Sequence, residues 1–117
     1  MAILNHMVQY LELDRTFGAV SDSTRRGILE RLGRGAASIS DLAADFEMTL
    51  TGVKKHVQVL EGAGLVVTEK VGRVRTCRLG PRRLASEASW IDQYQELVEA
   101  RFKQLGAFLE RTKGTPS

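Results

Sequence analysis

Apolar side chains recur every three or four positions along the first part of the chain, which is the spacing of amphipathic helices. One such stretch predicts a helix from Ile3 to Phe17. A second predicted helix follows Asp22, a residue type that caps helix N-termini, and ends before Gly33. The N-terminal part of the chain is therefore predicted to be helical.

Two further helices are predicted, with the tight connection Glu47-Met48 between them. The shorter helix covers residues 41–46, with Ser40 as its N-cap. The longer helix follows Thr49, again a capping residue, and continues to Ala63. One stripe of the longer helix is predicted to be buried, and it consists of Val53, Val57 and Leu60.

The periodicity then changes to that of β-strands. The runs LVVTEK (residues 65–70) and RVRTCRL (residues 73–79) are rich in β-branched residues and are separated by Val71-Gly72. They predict a two-stranded hairpin with a basic tip. Gly80-Pro81 ends the hairpin, and a long helix follows from about Ser86 to Arg111. The predicted fold is mainly α with a two-stranded β-hairpin wing, in the order α-α-α-α-β-β-α, and it forms one domain over residues 1–117.

Charge is distributed unevenly along the chain. Its formal net charge is only +3, but residues 49–83 contain eight Lys or Arg and two Glu, a formal +6, while the remainder carries −3. Such segregation puts a positive potential on one part of the surface, as binding to a polyanion requires. No apolar run reaches the length of a membrane span, and the single cysteine, Cys77, suits a reducing cytoplasm.

A short helix, a tight connection and a second capped helix form a helix-turn-helix pattern, in which the second helix enters the major groove of DNA. A basic wing after it can follow the backbone or enter the minor groove. The residues expected to read or flank bases are Thr51, Lys54, Lys55 and Gln58. Those expected to hold phosphates or probe the minor groove are Thr49, His56, Lys70, Arg73 and Arg75. For His56, a local hydrogen bond is an equal alternative.

The runs SDSTRRGILERLGRG and SISDLAADFEMTLTGVKKHVQVLEGAGLV closely resemble the ArsR/SmtB family of winged helix-turn-helix repressors. The resemblance spans about Phe17 to Leu79. It implies DNA binding, repression and a homodimer formed by the first and last helices. Gly52 and Lys54 stand where many members have small hydroxyl residues, so the family's base contacts are not transferable to this chain. The matching positions are Asp22-Ser23-Thr24-Arg25-Arg26, Ile28-Leu29, Leu42-Ala43, the segment from Val53 to Leu60, and Ala63-Gly64-Leu65.

The resemblance raises metal sensing, which the ligand chemistry of this chain disfavours. The family's Cys-x-Cys site falls on Ser38-Ile39-Ser40-Asp41, which has no thiol. The last helix offers Asp92, Glu96 and Glu99 but no His, and zinc prefers nitrogen or sulfur ligands. The sequence therefore predicts no metal site and no cofactor, as in the family branch that lacks the metal-binding cysteines.

Cys77 leaves two interpretations open. An inert, partly buried thiol is the first. A redox sensor is the second, because Arg75 and Arg78 nearby would lower the pKa of a thiol.

Apolar residues on the last helix form two stripes, more than packing on a small domain requires. A two-fold dimer through the terminal helices, residues 1–20 and 84–112, accounts for both stripes. Residues 40–63 are then the helix-turn-helix and residues 65–79 the wing. Trp90, Tyr94 and Phe102 either belong to a core or line a small-molecule pocket. The predicted dimer interface comprises Leu4, Met7, Val8, Leu11, Trp90, Ile91, Tyr94, Val98, Phe102, Leu105 and Leu109.

The sequence thus predicts a cytoplasmic, metal-independent transcriptional regulator that binds a palindromic operator in double-stranded DNA as a homodimer and represses transcription. No glycine-rich phosphate loop or nucleophile elbow is present, which argues against an enzyme. The alternatives are a redox- or ligand-responsive sensor repressor and a protein-interaction adaptor that uses the terminal helices. The sequence identifies no inducer.

Overall fold

A computed structural model of the chain describes residues 2–113, with side chains at Met7 and at residues 10–111. The predicted class is confirmed, since helices dominate and a small antiparallel sheet carries the wing. The described part forms two compact units, of which one ends at Arg83 and the other begins at Leu84. In chain order the elements are α1 (Ala2–Val20), α2 (Ser23–Leu32), β1 (Ala37–Ser38), α3 (Ile39–Asp45), α4 (Leu50–Gly62), β2 (Val66–Val71), β3 (Val74–Leu79) and α5 (Ala85–Lys113).

The caps predicted for α2 and α4 are confirmed. Asp22 Oδ1 accepts a hydrogen bond of 3.0 Å from the Arg25 backbone N–H. Thr49 Oγ1 accepts one of 3.0 Å from the Gly52 backbone N–H. Each bond satisfies a backbone donor that the first turn of a helix leaves without an intrahelical partner. The start of the helix that carries the basic residues is therefore fixed by its own sequence.

The cap predicted for α3 is wrong. Ser38, not Ser40, precedes the helix, and its Oγ accepts from the Asp41 backbone N–H at 3.0 Å. The Asp41 carboxylate in turn accepts from the Ser38 backbone N–H at 3.3 Å, which completes a capping box. Ser40 has an apolar residue, Ala43, three positions later and cannot form such a reciprocal pair. The helix consequently begins two residues before the predicted start.

Replacement of Ser38 by Ala is expected to lower the free energy of unfolding by about 1 kcal/mol, the usual cost of losing an N-cap. Ser40→Ala is the matched control, and it should change stability by less than about 0.5 kcal/mol because Ser40 is exposed inside the helix. Urea unfolding followed by circular dichroism measures both. Equal effects of the two substitutions would contradict the assignment of the cap.

The turn of the hairpin lies one residue later than predicted. β2 pairs with β3 from Val66↔Leu79 to Val71↔Val74, so that the turn consists of Gly72-Arg73 instead of Val71-Gly72. Gly72 has φ = 63°, a value suited to glycine and required in the tight turns that match the twist of a hairpin. Arg73 therefore lies at the tip of the wing.

A third strand was not predicted. β1 has only two residues and pairs antiparallel with β3, with Ala37 opposite Cys77, which gives the strand order β1-β3-β2. The strand attaches the root of the hairpin to the segment that enters α3. The predicted two-stranded wing is thus part of a three-stranded sheet.

The core of the N-terminal unit lies between α2, α3, α4 and the sheet. The predicted buried stripe of α4 is confirmed, with relative exposures of 0% for Val53, 2% for Val57 and 0% for Leu60. Ile28 of α2 and Leu42 of α3 are also fully buried. Because this stripe is held in the core, the opposite face of α4 must point to solvent.

Candidate nucleic-acid interface

The outward face of α4 carries the residues that the sequence predicted for base recognition. Thr51, Lys54, Lys55 and Gln58 are all exposed, and they present a hydroxyl, two ammonium groups and an amide. The exposed Thr49 hydroxyl caps the helix and can still donate its own hydrogen to a phosphate oxygen. The N-terminal N–H groups and the dipole of α4 favour an anion at the same end.

Leu50 adds an apolar group to this end of α4. It is the first residue of the helix and is 50% exposed. An exposed apolar side chain beside hydrogen-bonding groups can contact the methyl group of thymine in the major groove. From the sequence, packing and contact with a thymine methyl group were both open for Leu50, because exposure cannot be inferred from one apolar residue.

The hairpin presents three exposed basic residues, Lys70, Arg73 and Arg75. Lys70 and Arg75 face each other across the two strands, and Arg73 occupies the turn. Two valines at the tip, Val71 and Val74, are 66% and 52% exposed. The wing therefore ends in one cation flanked by apolar side chains, a combination that suits the walls of a DNA groove.

A chain of hydrogen bonds ties the wing to α4. Arg75 Nη1 donates to Thr68 Oγ1 at 2.9 Å, and the Thr68 hydroxyl donates to Glu61 Oε2 of α4 at 3.1 Å. Arg75 thereby has a structural role in addition to its positive charge. The wing and the C-terminal turn of α4 are held in one orientation, with Glu61 and Arg75 exposed to solvent and Thr68 half-buried between them.

His56 differs from the other predicted contact residues because its ring faces α2. His56 Nδ1 lies 3.3 Å from Arg25 Nη1 and 4.0 Å from Asp22 Oδ1, and its side chain is only 21% exposed. The Arg25 backbone N–H lowers the pKa of Asp22, and the charges of His56 and Arg25 act in the same direction, whereas desolvation opposes them. The geometry favours the local hydrogen bond over the phosphate contact for His56.

Arg25 is a residue whose role the sequence did not reveal. Its Nε donates to the Ala19 carbonyl at 2.7 Å and its Nη2 to the Gly18 carbonyl at 3.0 Å, both at the end of α1. With the contact to His56, one guanidinium joins α1, α2 and α4. The only sequence signal was its place in the motif Asp22-Ser23-Thr24-Arg25-Arg26.

Cys77 is fully buried, with 0% exposure, and not partly buried as predicted. Burial raises the pKa of its thiol, the Glu61 carboxylate raises it further, and Arg75 opposes both effects. The protonated thiol is thus favoured at neutral pH, which disfavours the nucleophilic thiolate that redox sensing needs.

We expect Cys77 to react with a disulfide reagent such as dithiobis-nitrobenzoate only after the protein unfolds, because the thiol is both inaccessible and protonated. The absorbance of the released thiolate, with and without denaturant, measures this. DNA binding should be unaffected by peroxide, in the wild type and in Cys77→Ser alike. Peroxide-dependent release of DNA that is lost in Cys77→Ser would establish the redox interpretation instead.

The last helix, α5, exposes a wide apolar face. Leu97 and Phe102 are 70% and 67% exposed, and the rings of Trp90 and Tyr94 stack with their centroids 5.8 Å apart. Val98 is half-buried. Trp90, Tyr94 and Phe102 thus do not belong to the core of the single chain. The other predicted interface residues of α5 are also exposed, namely Ile91, Leu105 and Leu109.

The first helix, α1, adds exposed apolar residues. Met7 and Leu11 are 54% and 56% exposed. Leu4 and Val8, which the sequence also assigned to the interface, have side chains outside the described residues.

Among the side chains that the structure describes within residues 2–113, no three of His, Cys, Asp or Glu are grouped in a way that would hold a metal ion. In the same range, none of the helices combines the length and the apolar composition that a membrane crossing demands.

A helix-turn-helix followed by a basic hairpin defines a winged helix-turn-helix protein, a class of DNA-binding transcriptional regulators. The family model of a helix-turn-helix domain matches residues 20–69. The chain is 33% identical over 99 residues to the HTH-type transcriptional regulator Rv2034 of Mycobacterium tuberculosis, an alignment that covers 85% of this chain and 92% of the relative. The chain belongs to the ArsR family of transcriptional regulators, because it is 42% identical to a regulator of that family whose crystal structure is known and covers 91% of its length.

Two further relatives agree with this assignment. The crystal structure of an ArsR family transcriptional regulator superposes with a TM-score of 0.68 at 42% identity, over 75% of this chain and 91% of the other. The transcriptional repressor SdpR of Bacillus subtilis is 27% identical, over 68% of this chain and 88% of its own length. This protein is therefore a DNA-binding transcriptional regulator.

Proposed function

We propose that the protein represses transcription as a homodimer that occupies a palindromic operator, without a metal ion or another cofactor. The observation that carries the proposal is the outward face of α4, which is fixed by a fully buried stripe and adjoins a basic wing. The protein is a cytoplasmic binding protein without enzymatic activity in this proposal. Repression agrees with the name of one relative, the transcriptional repressor SdpR.

The major groove is the proposed location of α4. A helix of 13 residues is about 20 Å long, and its first two and a half turns carry the exposed polar residues. Thr51, Lys54, Lys55 and Gln58 then read or flank bases, and Leu50 contacts a thymine methyl group. Thr49, Lys70, Arg73 and Arg75 hold phosphates, with Arg73 at the minor groove next to the recognition helix. His56 is left out of this contact set because its ring is turned to α2.

The dimer is proposed to form through the apolar faces of α1 and α5. Large side chains that are more than 50% exposed on α5, such as Leu97, Phe102 and Leu105, need a partner surface in water. A two-fold arrangement supplies that surface from an identical chain. It also places two recognition helices about 34 Å apart, one turn of DNA, which is what a palindrome requires.

The phosphate contacts are tested by the salt dependence of binding to a duplex that the wild type selects from a random pool. Each of Lys55→Ala and Arg73→Ala is expected to reduce the magnitude of the slope of log K against log salt by nearly 1. The reason is that the variant neutralises one phosphate fewer, so about one counterion fewer is released on binding. Fluorescence anisotropy at four salt concentrations measures the slope.

The matched control is Lys103→Ala, which removes an exposed lysine of α5 outside the proposed contact surface. Its slope should equal that of the wild type. Unchanged slopes in both Lys55→Ala and Arg73→Ala would refute the assignment of these two side chains to phosphates.

A further inference from the structure

The recognition helix is connected to α1 by a polar bridge and not by close packing alone. A groove of about 510 Å³ lies between α1 and the C-terminal half of α4, lined among others by Asp14, Gly18, Val59 and Gly62. The Arg25 side chain also lines this groove. It donates to the Gly18 and Ala19 carbonyls of α1 and contacts His56 Nδ1 of α4.

The backbone of α2 holds Arg25 in this position. Asp22 caps the helix by accepting from the Arg25 backbone N–H, and its carboxylate lies 4.0 Å from His56 Nδ1. A guanidinium has no acceptor, so the bond to His56 requires an unprotonated Nδ1.

We propose that Asp22, Arg25 and His56 are positioning residues that fix the orientation of α4 relative to α1, and that they thereby set the half-site spacing that the dimer accepts. The inference rests on the proposed function, in which α1 lies at the two-fold interface. The separation of the two recognition helices then depends on the angle between α1 and α4 in each chain. Loss of the bridge lets this angle vary without removing any contact to DNA.

The chain offers a matched control for Arg25. Arg26, its neighbour, also donates to a carbonyl at the end of α1, that of Val20, at 2.7 Å. The described hydrogen bonds of Arg26 include none to α4. Arg25→Lys and Arg26→Lys thus make the same chemical change at the same helix end, and only the first alters the bridge to His56.

His56 offers a second pair of variants. In His56→Asn, the side-chain amide oxygen takes about the position of Nδ1 and can accept from Arg25, whereas His56→Ala has no acceptor. Rescue by Asn separates the bridge from the mere volume of the ring. Thermal unfolding of every variant verifies that the protein is folded at the assay temperature.

The experiment measures affinity for two duplexes, the operator that the wild type selects from a random pool and the same operator with one base pair inserted between its half-sites. Arg25→Lys and His56→Ala are expected to lose about tenfold or more in affinity for the operator with the native spacing. Their loss of affinity for the lengthened operator should be smaller, so that the ratio of the two affinities falls. The salt slope should remain that of the wild type. His56→Asn and Arg26→Lys should retain both affinity and discrimination.

The results that would contradict the inference can be told apart from those that would contradict the proposed function. A salt slope reduced by about 1 in His56→Ala, with discrimination intact, would make His56 a phosphate contact and overturn the inference. Equal losses on both duplexes, or equal effects of Arg25→Lys and Arg26→Lys, would also overturn it. A wild type without preference for any duplex would refute the proposed function, and the inference with it. If the wild type and Arg25→Lys discriminate between the two duplexes equally well, the inference is refuted and the proposed function is not.

Discussion

Replacement of Phe102 by Glu is expected to convert the dimer into a monomer and to lower operator affinity at least about 100-fold. Phe102 is 67% exposed on α5, on a face that also contains Ile91, Leu105 and Leu109. A buried carboxylate opposite an apolar surface of the second chain would have to lose its hydration without a partner. Association of the two chains is therefore disfavoured. Each monomer then binds one half-site without the gain in affinity that comes from linking two DNA-binding units in one dimer.

The control for this substitution is Ala107→Glu. Ala107 is exposed on the polar side of α5, one helical turn after Lys103, and its replacement by Glu introduces the same charge as Phe102→Glu. Light scattering coupled to size-exclusion chromatography gives the oligomeric state, and fluorescence anisotropy gives the affinity. Ala107→Glu should remain dimeric and bind like the wild type. A dimeric Phe102→Glu with full affinity would contradict the proposed interface.

Replacement of Gly80 by Ala is expected to lower the free energy of unfolding by about 1–3 kcal/mol, which corresponds to roughly 5–20 °C in Tm for a chain of this size. A Cβ at this position would lie 2.7 Å from the Gly64 carbonyl oxygen and 3.4 Å from the Leu65 carbonyl carbon. These are backbone atoms of the connection between α4 and β2, and the Gly80 N–H donates to the Leu65 carbonyl at 2.9 Å. The turn would have to open, and this hydrogen bond would weaken.

Gly62→Ala is the matched substitution, because Gly62 is the last residue of α4 and a Cβ there meets nothing within 4 Å. Alanine is the better helix former, so this variant should be more stable than the wild type by up to about 1 kcal/mol. Differential scanning calorimetry measures both effects. A Gly80→Ala variant as stable as Gly62→Ala would show that the approach of these two backbone segments is not close in solution.

Local patterns predicted most of the helical structure, for physical reasons. Asp22 and Thr49 each stand directly before an apolar helical repeat, so their caps could be identified from the sequence. Ser38 and Ser40 compete for the same role, and the partner that decides between them, Asp41, was overlooked. The hairpin turn was misplaced by one residue because Val71 and Val74 both suit a strand, and only their pairing shows which two residues form the turn.

What remained hidden depends on residues that are distant in the sequence. β1 has two residues and is defined by its pairing with β3, about 40 positions away, which no local periodicity indicates. The contact between Arg25 and His56 spans 31 residues and links two polar side chains. The exposed basic residues of α4 and the wing were predictable because burial of one helix stripe determines which residues face solvent. The hydrogen-bond partner of a basic residue, such as Thr68 for Arg75, could not be predicted.

The central claim, that this chain reads DNA sequence as a metal-independent dimer, is tested most directly by one binding measurement. The full chain is titrated against the duplex it selects from a random pool and against a shuffled duplex, over a series of salt concentrations, with and without a chelator. The predicted result is tight, salt-sensitive binding to the selected duplex at two chains per site, well above the control and unaffected by the chelator. Equal, weak binding to both duplexes would contradict the account.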